Sequence, residues 1–169
     1  MDIRPCTDED LSVLCLHWRT PGGVHEAHHA RQQAGQATYL VAWQDQEPLG
    51  SGVVQWGGCI GSNARTAYPQ AVEINHLQVR DQYRGQGVGS DLIAAAEALA
   101  WQAGRFQIAV GVADDNQGAE RLYRRLGYRL TGVVDVSEYD WITAEGAVQH
   151  ETERDLLLVK DLAPTIGIL

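Results

Sequence analysis

The chain has 169 residues with ordinary fractions of hydrophobic (44%) and charged (21%) residues, which predicts one globular domain over residues 1–169. Thirteen basic residues stand against twenty-two acidic residues, and the net charge of −9 disfavours nucleic acids and anionic membranes as partners. No stretch is apolar for long enough to span a membrane, and the first five residues lack the pattern of a secretory signal, so we expect a cytoplasmic protein.

Short β and α patterns alternate along the chain. A first strand over 3–6 precedes a helix over 8–18, which Thr7 and Asp10 begin as an N-cap and an acid of the first turn. The later patterns predict a helix over 24–35, strands over 38–43 and 49–56, a glycine-rich connection over 57–70, a strand over 72–79, a helix from 88 to about 104, a strand over 106–112, a helix over 119–126, and strands over 128–136 and 153–159. This order, β-α-α-β-β-β-α-β-α-β-β, predicts an α/β fold with a mixed sheet and helices on both faces.

Cysteine and histidine patterns give no metal site. The three cysteines are odd in number, widely spaced and without a Cys-x-x-Cys pair, so we expect buried or half-buried thiols. His25, His28 and His29 recur at helical spacing and could chelate a metal in pairs, but no acidic or cysteine ligand completes the set. We therefore expect a solvated histidine face on the second helix and no bound metal.

The segment Arg84-Gly85-Gln86-Gly87-Val88-Gly89-Ser90 lies between a predicted strand and the start of a predicted helix. Free backbone N–H groups at a helix start bind anions, and glycines let a pyrophosphate approach the backbone closely. The lysine of a P-loop is absent, and the third glycine comes one residue too early for a dinucleotide-binding fingerprint. Residues 80–129 hold seven basic against six acidic residues, whereas the segments before and after are net acidic, so this stretch is the best suited to a polyanion.

The same loop resembles the acyl-CoA pyrophosphate motif Gln/Arg-x-x-Gly-x-Gly/Ala of the GNAT (Gcn5-related N-acetyltransferase) superfamily, with Arg84, Gly87 and Gly89 at its fixed positions. A second segment, from Asn116 to Tyr128, matches the family signature Asn-x-x-Ala-x-x-Leu-Tyr-x-x-x-Gly-Phe/Tyr at every fixed position. The resemblance implies a mixed, mostly antiparallel sheet of about seven strands. It also implies an enzyme that transfers an acyl group, most often acetyl, from acetyl-CoA to a primary amine of a small molecule or a protein.

The resemblance assigns a binding role to two parts of the chain besides the glycine loop. The strand end Leu77-Gln78-Val79 resembles the edge whose backbone pairs with the pantetheine arm and supplies oxyanion donors. Asn116 and Tyr123, seven residues apart on one helix face, could flank one extended ligand arm. Candidates for the outer phosphates are Arg80, Arg121, Arg124 and Arg125, although exposed arginines on a helix are often only solvated.

Two proton-transfer roles follow from the same resemblance. Tyr123 matches the family tyrosine and is our general acid for the departing thiolate, and Glu73 is our general base. His76 is the alternative base. Strand alternation puts Glu73 and His76 on opposite faces unless a bulge intervenes, and Glu73 could also be a surface glutamate.

The acceptor and the assembly are open at this level. Residues 132–162 carry eight acidic residues against one arginine and one lysine, which favours a cationic amine acceptor if this segment lines the cleft, and only solubility if it does not. A non-catalytic acyl-CoA sensor or scaffold is the alternative function, but such a module does not need Tyr123 and Glu73. A homodimer is the expectation for assembly.

Overall fold

The computed structural model describes residues 1–163. Within this range, seven strands form one sheet: β1 (Asp2–Pro5), β2 (Ala37–Gln44), β3 (Glu47–Gln55), β4 (Val72–Val79), β5 (Gln107–Ala113), β6 (Arg129–Ile142) and β7 (Val148–Asp161). Five α-helices accompany them: α1 (Asp8–His17), α2 (Val24–Gln33), α3 (Ser62–Ala67), α4 (Val88–Gln102) and α5 (Gln117–Arg125). The strand order is β1-β2-β3-β4-β5-β7-β6, and only β4 and β5 pair in parallel. The predicted α/β fold class is confirmed.

Both faces of the central strands are buried by helices. On one face, Tyr39, Val41 and Trp43 of β2 pack in a cluster with Leu14 of α1. On the other face, alternate residues of the same strand join Leu92 and the other apolar residues of α4 in the larger cluster. Because successive strand residues point to opposite faces, a nearly continuous apolar sequence fits this doubly covered strand.

Helix α1 begins where the sequence predicts. Thr7 Oγ1 accepts from the Asp10 N–H at 3.1 Å, and the Asp10 carboxylate accepts from the Thr7 N–H at 3.1 Å. This reciprocal capping box satisfies two backbone donors that the first turn leaves unpaired.

Helix α3 and the length of the last hairpin depart from the prediction. The predicted connection over 57–70 contains α3, which has only six residues and is capped from a distant strand: Asp135 of β6 accepts from the Asn63 and Ala64 N–H groups at 2.9 and 3.0 Å. Strands β6 and β7 extend to Ile142 and from Val148, beyond the predicted ends at 136 and 153. The pairing of β5 with β7 ends at Asp155 of β7. From there to the hairpin turn, β6 and β7 pair only with each other and form a two-stranded ribbon.

The central parallel pair is short and leaves a gap in the sheet. Strand β4 pairs with β5 only through Val72–Ile74. Within residues 1–163, the rest of β4 pairs with β3 alone, through a register shift between Ser51 and Val53. The two central strands therefore diverge, and a cleft opens between their carboxyl ends.

Candidate active site

A cleft of about 800 Å³ opens where β4 and β5 diverge. Its floor comes from the two strands, one wall from α5, and the other wall from the α3 segment and the β6–β7 hairpin. The predicted site residues that line it are Glu73, His76, Leu77, Asn116 and Tyr123. The divergence thus brings together residues from two predicted motifs that lie about forty residues apart in sequence.

A bulge in β4 places Glu73 and His76 in the same cleft. His76 has a φ of +52°, a left-handed conformation that residues other than glycine rarely adopt. The extra residue changes the alternation of side chains along the strand. Because of this bulge, Glu73 and His76 both line the cleft, and both stay candidates for the base.

Glu73 is a buried carboxylate with only 6% of its surface exposed. The Ile60 N–H donates to Oε2 at 3.3 Å, and Asn75 Nδ2 donates to Oε1 at 3.3 Å. Burial raises the pKa of Glu73, while the donors Asn75, Ile60 and Cys59 lower it. The alternative of a surface glutamate is wrong.

Tyr123 lies on α5 and is 3% exposed. Its ring meets the Tyr128 ring edge to face, with the centroids 5.3 Å apart. Burial raises the pKa of Tyr123, so its hydroxyl keeps its proton at neutral pH. Asn116 begins the same helix, and its Oδ1 atom accepts from the Ala119 N–H at 3.1 Å, so this asparagine is an N-cap that also lines the cleft.

The glycine loop forms a second depression next to the cleft, at the start of α4. Gly85 and Gly87 have φ values of +75° and +83°, and Gly87 is the N-cap of α4. Both glycines border open space, so a side chain there would meet no atom but would strain the backbone. The depression has a volume of about 330 Å³ and is lined by Val79, Tyr83, Arg84, Gly85, Gly87, Val88, Gly89, Ser90, Leu122 and Arg125.

The four candidate phosphate arginines differ in their surroundings. Arg80 donates to Glu47 Oε1 at 2.5 Å and to two backbone carbonyl oxygens, so its guanidinium already has partners within the fold. Arg125 lines the glycine-loop depression. Arg121 and Arg124 are exposed on α5.

The histidines of α2 are buried, which corrects the expected solvated face. His25 bonds the Trp18 carbonyl oxygen through Nε2 and the Tyr39 hydroxyl through Nδ1, both at 2.7 Å. The His28 ring packs between Tyr39 and His76 at centroid distances of 5.1 and 4.8 Å, and burial lowers the pKa of His28 to about 4. Helix α2 buries polar side chains such as His28 against Tyr39 and His76 of the sheet. Its buried face is therefore not marked by a periodic pattern of apolar residues.

The cleft wall opposite α5 is acidic. Four carboxylate residues line the cleft, and within residues 1–163 no lysine or arginine lines it; the four are Glu73, Asp135, Glu153 and Asp155. The pKa of Asp155 is raised by burial and by neighbouring acids, Asp135 first among them. Asn75 also lines the cleft. This residue was not predicted from the sequence, although its spacing of two from Glu73 was a usable signal.

Comparison with known proteins places the chain in a family. Residues 10–128 match the model of the acetyltransferase (GNAT) family, and the chain therefore belongs to that family, as the resemblance predicted. None of the helices between residues 1 and 163 has the length and hydrophobicity that a membrane crossing requires. No group of three or more histidine, cysteine or acidic residues in that range is arranged to hold a metal ion.

Individual relatives agree with this assignment. The chain is 35% identical over 81 residues to thialysine N-epsilon-acetyltransferase of Bos taurus, a match that covers 48% of this chain and 47% of that protein. Across the curated relatives that it matches, the chain spans 29% to 47% of their length.

Solved structures share the fold. Ribosomal-protein-alanine N-acetyltransferase from Brucella melitensis superimposes with a TM-score of 0.67 at 19% identity, over 96% of this chain and all of that chain. A GNAT family acetyltransferase from Elizabethkingia anophelis with acetyl-CoA bound gives 0.61 at 17% identity, over 95% and 97% of the two chains. These structures show that the chain has the fold of the family.

Proposed function

We propose that this chain transfers an acetyl group from acetyl-CoA to a primary amine that carries positive charge beyond its reacting nitrogen. The observation that carries the proposal is the composition of the cleft. A buried carboxylate and a buried phenol line the same space, the opposite wall is acidic, and an anion-binding helix start lies beside it. A non-catalytic binding module needs only the helix start and the strand edge.

The co-substrate is expected to lie along the glycine loop and the free edge of β4. The loop amides of Gly85–Ser90 and the positive end of the α4 dipole suit the pyrophosphate, and Arg84 and Arg125 border them. Beyond Ile74, β4 pairs only with β3 in the described residues, so Leu77, Gln78 and Val79 offer an edge to the pantetheine arm. N–H groups of this edge are suited to stabilising the oxyanion.

Glu73 is proposed as the general base. An amine attacks only after it loses a proton, and a carboxylate whose pKa is raised by burial accepts that proton more readily than an exposed one. His76 lies in the same cleft and is the alternative, but burial lowers its pKa, which makes it a poorer proton acceptor. Retention of turnover and its pH profile in Glu73→Gln would assign the role to His76 or water.

Tyr123 is proposed as the general acid. The departing thiolate needs a proton, and a phenol that stays protonated at neutral pH can donate it. Its position on α5 faces the same cleft as Glu73. Base and acid therefore act on the same bound pair of reactants.

The acidic wall supports a cationic acceptor. With Glu153 and Asp155 in the cleft and no lysine or arginine among its described lining residues, the local potential favours cations and repels amines of net negative charge. The bovine relative is named for the ε-amine of thialysine, an amine of this kind. Polyamines, aminoglycosides and lysine-like amines are the classes to test first.

Release of free thiol from acetyl-CoA over an amine panel tests the proposal. We expect the highest kcat/KM for spermidine, a lower value for the neutral amine of comparable length, and the lowest for glutamate. A preference for neutral or anionic amines at low salt would contradict the acceptor class. If none of the amines in the panel causes thiol release although acetyl-CoA binds tightly, the sensor or scaffold function is favoured.

We further propose that residues 1–169 act as one acetyltransferase domain that forms a homodimer in the cytoplasm. One continuous sheet through residues 1–163 supports the single domain. Strand β6 is a fourteen-residue edge strand with exposed Val136 and Ile142, which suits pairing with a second copy. Cys6, Cys15 and Cys59 are all free thiols, which suits a reducing compartment. Light scattering after gel filtration and cell fractionation test the two points.

A further inference from the structure

A chain of side-chain hydrogen bonds leads from helix α2 to the Glu73 carboxylate. Arg31 Nη2 donates to Gln55 Oε1 at 2.6 Å, and Asn75 Nδ2 donates to the same oxygen at 3.3 Å. The Asn75 Nδ2 group also donates to Glu73 Oε1 at 3.3 Å. Helix α2 and strands β3 and β4 therefore meet at the group proposed as the base.

Arg31 at one end and the Glu73 carboxylate at the other fix the direction of the bonds in this chain. A guanidinium can only donate, so Gln55 turns its oxygen toward Arg31, and its Nε2 group donates to the Gly58 carbonyl oxygen at 2.9 Å. Because Gln55 offers an oxygen, Asn75 presents its NH₂ group, which then faces Glu73 as well. Without the guanidinium, only the Gly58 carbonyl oxygen would orient Gln55, and only the carboxylate itself would orient Asn75.

The same orientation leaves one atom unfavourably placed. Asn75 Oδ1 is buried and has no hydrogen-bond partner in the part of the chain that the structure describes. A buried unpaired oxygen destabilises the folded state, and an apolar side chain of similar shape would avoid it. An asparagine that disfavours folding thus lies where the carboxylate requires a donor.

We propose that Asn75, oriented by Gln55 and Arg31, is a positioning residue for deprotonation of the acceptor, because it holds the Glu73 carboxylate in one orientation within the cleft. This inference rests on the proposed role of Glu73 as the base. Asn75 acts through Glu73, and its effect therefore appears in the titration of that carboxylate.

The sign of that effect follows from the surroundings of Glu73. Burial raises its pKa, Asn75 is the foremost of the donors that lower it, and Asp155 of β7 raises it. Loss of the Asn75 amide therefore raises the pKa of Glu73 further. Because the base must be unprotonated to act, activity is then lost at a higher pH as the pH is lowered. The other titratable or charged groups around Glu73 are Cys59 beside α3, Asp135 on β6, Glu153 on β7, His76 on β4, Tyr123 on α5 and, through Gln55, Arg31 on α2.

The test is a carbon-13 NMR titration of the glutamate side-chain carboxyl groups in the full chain, with the Glu73 signal assigned by its loss in Glu73→Gln. In Asn75→Leu, we expect Glu73 to titrate at higher pH than in the wild type. In Arg31→Met, which leaves the strand sequence unchanged, we expect a smaller shift in the same direction. Gln32→Leu is the matched control, because this neighbour on α2 also loses side-chain hydrogen bonds, to Cys6 and Tyr39, but lies outside the chain to Glu73.

Acetylation of spermidine provides the second readout. We expect kcat/KM of Asn75→Leu to fall about tenfold or more, the size of one hydrogen bond to a charged group, with its acid limb displaced to higher pH and the KM for acetyl-CoA unchanged. An unchanged Glu73 titration and acid limb in both Asn75→Leu and Arg31→Met, with Glu73→Gln inactive, would overturn the positioning role and leave the base in place. If Glu73→Gln retains turnover, the base assignment fails and the positioning role fails with it.

Discussion

At the scale of single residues, Tyr123 combines burial with a position in the cleft. Tyr123→Phe keeps the ring that packs on Tyr128 but removes the proton donor. We expect turnover to fall by about 10² to 10⁴-fold, the usual contribution of a general acid, while acetyl-CoA affinity changes little. Stopped-flow turnover and calorimetric binding of acetyl-CoA measure the two quantities.

Tyr128→Phe is the control for that experiment. The Tyr128 hydroxyl donates to Glu97 at 3.0 Å and does not line the cleft, so its loss should lower stability by about 1 kcal/mol and leave turnover intact. Wild-type turnover in Tyr123→Phe, under conditions where chemistry limits the rate, would reduce Tyr123 to a packing residue.

Gly87 is the residue on which co-substrate binding by the loop can be tested. Its φ of +83° and position at the N-cap of α4 mean that Gly87→Val strains the backbone and puts a side chain over the loop amides. We expect acetyl-CoA affinity to fall at least tenfold, about 1.4 kcal/mol. Gly104→Val introduces the same type of strain at the other end of the helix, where φ is +73°. Equal acetyl-CoA affinity in the two folded variants would contradict the loop assignment.

Sequence patterns predicted the candidate groups of the site, but not their geometry. Tyr123 and Gly87 follow from motifs of fixed local spacing, and they line the cleft and the glycine-loop depression, respectively. The shared direction of Glu73 and His76 does not follow, because it depends on a bulge formed where β4 pairs with a strand twenty residues earlier. Burial of His28 was missed for a similar reason: its partners, Tyr39 and His76, are distant in sequence.

At the scale of secondary-structure elements, Asp135 joins the last hairpin to α3. Its carboxylate accepts from two N–H groups at the start of that helix, and a Cβ atom on Gly61 would lie 2.1 Å from Asp135 Oδ2. We expect Asp135→Ala to lower the free energy of unfolding by about 1–2 kcal/mol, as loss of an N-cap does. Urea unfolding measures this, with Asp140→Ala as the control, because Asp140 is an exposed carboxylate of the same strand that bonds His150 of the neighbouring strand.

The contact with Gly61 makes a stricter test possible. Gly61→Ala alone should destabilise the chain, because the new methyl group displaces the Asp135 carboxylate. In the Asp135→Ala background, only the Cβ atom of residue 135 stays close to the new methyl group, at 2.9 Å, so the same change should destabilise the chain less and the two variants should be non-additive in a double-mutant cycle. Additive losses would mean that the new methyl group does not displace the capping carboxylate.

Local signals located most elements, and the exceptions depend on distant contacts. Thr7 and Asp10 fix the start of α1 within four residues, and the structure agrees. Helix α3 has no side-chain cap of its own, since Asp135 comes from a strand some seventy residues later. The predicted strands ended too early in the ribbon beyond Val136. Its two strands pair only with each other, and their exposed faces lack the apolar alternation of a covered strand.

At the scale of the whole molecule, only some of the acidic residues of the β6–β7 ribbon face the cleft. Ser137 and Glu153 are paired across the ribbon and line the cleft, whereas the neighbouring pair, Glu138 and Thr152, points to the opposite face. The ribbon therefore carries carboxylates on both faces, and only one face can influence an acceptor in the cleft. This difference provides two variants of equal charge change but unequal expected effect.

Ionic strength separates an acidic acceptor site from acidity that serves solubility. Attraction between charges separated by a Debye length, about 10 Å at 0.1 M salt, is largely screened above that concentration. We therefore expect kcat/KM for spermidine to fall steeply between about 0.02 and 0.5 M salt, mainly through KM, and kcat/KM for a neutral amine to stay nearly constant. Glu153→Gln should flatten the spermidine dependence, whereas Glu138→Gln on the outer face should keep the wild-type slope. Equal slopes for the two variants would show that the acids act only through the net charge of −9, and the cationic acceptor would then lose its support.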